Sequence, residues 1–161
     1  MNKAQKIAEF IEKQEVISFL PLDPHYLGYF TCFNRKQYYE AHDVLEQLWL
    51  KTAGADHLFY KGLIQLAGAL VHLQKQFQDP GHRVHGKRLG PAMRLFRLSE
   101  KNLAPYRPFH LHCNTDTLCK LASRLAFSIE NSGQQKNPWD PERPPQIQLQ
   151  EEDSTDSIYR S

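Results

Sequence analysis

The sequence predicts an all-α fold, a compact single-domain bundle of about five to six helices. Three observations carry the prediction. Apolar residues recur at three- and four-residue spacing over long runs. No segment alternates apolar and polar residues between hairpin turns. Proline and glycine clusters cut the chain into helix-length pieces. With 161 residues, 40% hydrophobic and 24% charged, the chain has the size and composition of one globular domain. The expected organisation is a helical domain over 1–131 and an extended tail over 132–161, Pro-rich and then acidic.

In chain order, Lys3 to Phe19 reads as a first helix with Ile7, Phe10, Ile11 and Val16 inward, ended by Pro21 and Pro24. From His25 to Phe33, the aromatic spacing of Tyr26, Tyr29, Phe30 and Phe33 predicts a short core helix. Asn34 is a cap or turn residue. The central helix runs from Phe33 to Trp49 and stops near Gly54. Asp56 to Gln76 follows, apolar nearly all round, so it should be the most buried helix. Its Gly62 and Gly68 lower helix propensity and are read as marks of close packing. After the Asp79-Pro80-Gly81 turn and a basic run, Pro91 to Ala104 forms a helix with Ala92, Leu95, Phe96, Ser99 and Leu103 inward. Thr115-Asp116 is expected to cap a last helix, Thr117 to Glu130. The tail should pin Trp139 to the domain and fray beyond Leu149.

Composition removes several function classes. A net charge of +2 is no polycation built for nucleic acid. Three cysteines without C-x-x-C argue against a disulfide framework. The longest apolar run, Gly62 to Leu73, is interrupted by Gln65 and His72 and falls short of the roughly 20 residues of a bilayer span. The first residues lack a signal-peptide core, so the expected compartment is the cytoplasm.

The central helix carries the chemistry. Ala41, Val44, Leu45 and Leu48 gather on one face, and Tyr39, His42, Asp43 and Glu46 on the other. Between Tyr38 and Leu50 stand Glu40, Asp43 and Glu46 without a single Lys or Arg, so their charge needs a partner from another element, a metal or a ligand. On the next helix Gln65, Gly68, Ala69 and His72 share a stripe. Packed antiparallel, the two stripes would bring His42, Glu46, Gln65 and His72 together, with Tyr39 and Trp49 flanking. Two imidazoles and a carboxylate are a common ligand set for zinc or non-haem iron, so His42, Glu46 and His72 are candidate ligands of a divalent metal. A satisfied structural network and a metal-free pocket for a small molecule are the competing readings. If the site is catalytic, metal-assisted hydrolysis fits it best.

The run F-N-R-x-x-Y-Y-E-A-H-D-x-L-E-x-L-W (Phe33 to Trp49), then G-L-I-Q-L-A-x-A-L-x-H-L (Gly62 to Leu73), then L-A-P-Y (Leu103 to Tyr106), resembles the bacterial and archaeal family known as domain of unknown function 309. The likeness spans about Tyr26 to Glu130. It implies an all-helical fold and no activity. It marks Asn34, Glu40, His42, Asp43, Glu46, Trp49, Gln65 and His72; where the family usually has Glu this chain has Asp43, whose carboxylate reaches one methylene less.

Two further constellations remain. Arg83, Lys87, Arg88, Arg94, Arg97, Lys101 and Arg107 form a basic region, with Arg94, Arg97 and Lys101 in one helical stripe. It supports the alternative of a non-catalytic module whose 83–107 region meets nucleic acid or an acidic protein, though such a stripe is more often a solvated face. His110, His112, Cys113 and Cys119 look metal-like, but their spacing matches no common zinc pattern.

Overall fold

The longest helix organises the molecule. The computed structural model describes residues 2–13, 21–83 and 86–151. Among them are six α-helices: α1 (Lys3–Lys13), α2 (Pro24–Asn34), α3 (Tyr38–Trp49), α4 (His57–Gln78), α5 (Leu89–Leu103) and α6 (Thr115–Asn131). Successive helices from α2 to α6 pack as neighbours, with α4 between α3 and α5. Val16 and the end of the expected first helix lie outside the described residues.

The central helix is shorter than the sequence suggested. Phe33 and Asn34 end α2, and a turn separates them from α3. Lys36 takes a left-handed φ of +62° there, which breaks the helical ladder. α2 starts as its sequence dictates. Asp23 accepts a hydrogen bond from the His25 amide at 2.8 Å, and Pro24 fills the first position. Its aromatic face is buried against α4: Tyr29 Oη donates to the Leu63 carbonyl at 2.6 Å, and Tyr26 Oη to the Leu111 carbonyl at 2.9 Å. Burying rings of this size dominates a core of this kind.

α3 and α4 run antiparallel. Trp49 stacks on His57 at one end, with centroids 5.1 Å apart, and Lys75 lies over the Tyr39 ring at the other. α5 approaches α4 closely at Gly62, where Ser99 Oγ donates to the Gly62 carbonyl at 2.7 Å and Leu103 fills the space a side chain would need. α6 is capped by Asn114, which accepts from the Thr117 amide at 3.0 Å, one residue before the expected Thr115-Asp116 cap. Arg97 clamps α5 to α6 through Glu130 at 2.9 Å and also holds Glu100 at 3.0 Å.

Two features escaped the periodicity. Phe109–His110 pairs antiparallel with Cys113–Asn114 across a turn whose central residues, Leu111 and His112, both have positive φ. Strands of two residues are too short to show alternation. The segment after α6 is also closely attached. Trp139 and Ile147 are buried, and Asn137 Nδ2 donates to the Leu73 carbonyl. Asn34 holds the strap like a strand partner: its Nδ2 donates to the Ile147 carbonyl and its Oδ1 accepts from the Ile147 amide, both at 2.8 Å. No helix among the described residues is long and apolar enough to cross a membrane.

Asn34→Ala removes both bonds and leaves the half-buried Ile147 peptide unpaired. The expected cost is about 1–3 kcal/mol in urea unfolding, with amide exchange at Ile147 accelerating more than exchange in α4.

Candidate functional site

The polar face of α3 is built by helical spacing and held by α1. His42 Nδ1 lies 3.1 Å from Asp43 Oδ1 and 3.8 Å from Glu46 Oε2. The missing cation is Lys3, whose Nζ sits 3.1 Å from Asp43 Oδ1 and 3.5 Å from Glu46 Oε1. Hydrogen bonding to Asp43 is the main cause that raises the Lys3 ammonium above the ordinary lysine range. Glu40 is exposed on the α1 side, and Tyr39 stands 57% exposed beneath Lys75.

The α4 stripe takes its partners from α5 instead. Gln65 Oε1 accepts from Asn102 Nδ2 at 2.8 Å. His72 Nδ1 lies 2.9 Å from Arg88 Nη1. A guanidinium only donates, so Nδ1 accepts and the imidazole proton resides on Nε2. Burial first, and the Arg88 charge second, hold His72 below the usual histidine range. Gly68 lies between the two halves, facing His42 and Leu95.

His42 and Glu46 are thus neighbours, while His72 turns to a cation. Among the described residues no group of three or more His, Cys, Asp or Glu side chains could hold a metal ion. The structure thus sets His72 against Arg88 rather than against His42 and Glu46, its expected partners. The two histidines of the second metal-like constellation are engaged elsewhere. His110 Nε2 pairs with Asp56 at 2.7 Å, and His112 Nδ1 meets the Gln150 carbonyl. Cys113 and Cys119 are buried, and burial pushes the Cys113 thiol up to about 12.

Arg88, which the sequence places in the basic region, turns its side chain toward His72. It precedes α5, where its amide donates to Gln76 Oε1 at 2.7 Å. Its half-buried side chain forms no ion pair with a carboxylate among the described residues, and its Nε is buried without a hydrogen-bond partner. The basic run signalled charge at this point but not that one member turns inward. Arg97, by contrast, is committed to two carboxylates, with Glu130 the main cause that raises its guanidinium above the usual arginine range. Arg94 and Lys101 remain exposed. Trp49 Nε1 is also buried without a partner.

Residues 26–84 match the family model described as Domain of unknown function (DUF309). This segment of the chain is similar to that family. Comparison with curated proteins and with solved structures finds no match. The DUF309 match covers α2, α3 and α4 and ends before α5, so it is narrower than the likeness read to Glu130, and L-A-P-Y lies beyond it. The signature side chains His42, Asp43, Glu46, Gln65 and His72 all fall inside it. The groups that answer them, Lys3, Arg88 and Asn102, all fall outside.

The two glycines of α4 play different roles. A Cβ at Gly62 would stand 2.7 Å from Leu103 Cγ, whereas one at Gly68 would meet Leu95 and His42 at 3.6 and 3.8 Å, ordinary contact distances. Close packing explains Gly62 and not Gly68. Gly62→Ala should cost about 1–3 kcal/mol by overpacking, and Gly68→Ala should gain about 0.5–1 kcal/mol through helix propensity, both read from thermal or urea unfolding. His72 yields a pH prediction. Its folded pKa is depressed, so its contribution is present above the unfolded value of about 6.5 and is lost as pH falls toward the folded value. Stability should therefore decline on acidification below about pH 6.5, with a shallower decline in His72→Gln, measured by unfolding across that range.

Proposed function

We propose that this chain binds a small molecule through an anionic group, a carboxylate or a phosphate, at the Arg88 end of the polar groove between α3 and α5. One observation carries the reading: Arg88 is a half-buried guanidinium with no carboxylate partner among the described residues and a buried Nε lacking an acceptor. An unpaired charge withdrawn from water is costly, and a ligand anion would relieve that cost.

Neighbouring groups support it. His72 presents an Nε2 donor because Arg88 fixes its tautomer. Gly68 keeps the groove floor low between His42 and Leu95 although packing does not demand a glycine. The site offers recognition groups and no activated nucleophile, so binding is the function these features favour. In this reading the basic run contributes to the groove through Arg88 rather than forming a separate nucleic-acid face.

The test is isothermal titration with inorganic phosphate and with succinate, repeated on Arg88→Met. Wild-type protein should bind at least one of them, and Arg88→Met should bind neither. Because the variant removes a half-buried charge that has no carboxylate partner among the described residues, its unfolding free energy should stay level or rise by about 1 kcal/mol. No binding by the wild type, or equal binding by the variant, would overturn the proposal.

A further inference from the structure

The α1 side of α3 is a second surface, separate from the Arg88 groove. α1 lies outside the DUF309 match and packs against α2 and α3. Ile7 is its one buried side chain among those described; Phe10 and Ile11 are half-buried. The seat is incomplete. A cleft of about 540 Å³ remains between the two helices, walled by Ile7 and Phe10 on α1 and by Tyr39, Glu40, Asp43 and Val44 on α3.

Charge complementarity says what fits this surface. α3 brings Glu40, Asp43 and Glu46 with no Lys or Arg between Tyr38 and Leu50. α1 answers with the Lys3 ammonium bridging Asp43 and Glu46, at 3.1 and 3.5 Å. Lys3, Ile7 and Phe10 stand at i, i+4 and i+7, the anchor spacing of an amphipathic helix laid into a groove. Lys3 is itself half-exposed, so water screens its two contacts, and α1 adds one buried side chain to them. The occupant is held loosely on a surface chemically matched to it.

We infer that the Tyr39, Glu40, Asp43 and Glu46 face of α3 is a docking surface for a lysine-bearing amphipathic helix of a partner protein, and that α1 occupies it in cis. A partner helix with bulkier apolar anchors would fill the cleft that α1 leaves open. Binding in trans then requires α1 to leave, so α1 sets a threshold for the partner. The pattern to be recognised is a lysine followed by large apolar residues four and seven positions on.

A fluorescein-labelled peptide of residues 1–13 supplies that chemistry, and its binding to the full-length chain can be followed by fluorescence anisotropy. In Ile7→Asp the cis helix loses its apolar anchor, and the peptide should bind at least tenfold more tightly than to wild type. Lys3→Glu, an exposed change that spares the core, should act in the same direction with a smaller gain. Adding Asp43→Lys to either variant should weaken binding at least tenfold, as should Lys3→Glu in the peptide. Arg88→Met should leave peptide binding unchanged, which separates this surface from the anion site. Equal affinity for wild type and both loosened variants, or affinity indifferent to Asp43→Lys, would overturn the inference. So would a concentration-dependent wild-type dimer in sedimentation that Ile7→Asp abolishes, since the occupant would then be a second copy of the chain.

Discussion

The close approach of α5 to α4 at Gly62 is the constraint on which the rest of the molecule depends. The missing side chain lets Leu103 fill the gap and lets Ser99 reach the Gly62 carbonyl, so a buried hydroxyl is satisfied where two helices nearly touch. That contact sets where the start of α5 falls relative to α4. One consequence is that Arg88 lies beside His72 and Asn102 beside Gln65. The electrostatics of the groove thus follow from a packing event several turns away, because interiors packed to this density transmit position along rigid helices.

The signature residues lie on α3 and α4, yet neither helix completes its own chemistry. Asp43 and Glu46 on α3 are answered from α1, the amide on α4 from α5 and the imidazole from Arg88 just before α5. Polar side chains withdrawn from water need partners, and here elements beyond the matched segment supply them. Replacing the partner elements while retaining the central helices would keep the fold and change what the polar face recognises.

Much of the fold was legible because helical periodicity is a local signal. The aromatic spacing of α2 and the apolar run of α4 are written in adjacent turns. The break at Lys36 was not, since nothing in F-N-R-K-Q-Y-Y-E forbids continuing the helix; the α2 to α3 turn is stabilised by Gln74 on α4 and by the strap, both remote in sequence. The candidate site was legible only as residue types. Spacing placed His42, Asp43 and Glu46 on one face, and the absence of Lys and Arg there called for a partner from another helix, a metal, a ligand or water. It could not identify Lys3 as that partner, nor show that His72 turns toward Arg88. Which charge answers which is decided by tertiary contacts between elements far apart along the chain.

The hydrogen bonds between Asn34 and Ile147 join residues 113 positions apart. Closing a loop of that length costs about 2 kcal/mol more entropy than closing one a tenth as long, and almost every helix–helix contact is more local. The helices can therefore assemble while the strap is still free. All of α2 to α6 precedes Ile147 in the chain, so every helix is synthesised before its strap. The carboxamide of Asn34 acts as a strand edge one residue long, ready for the last segment to reach it.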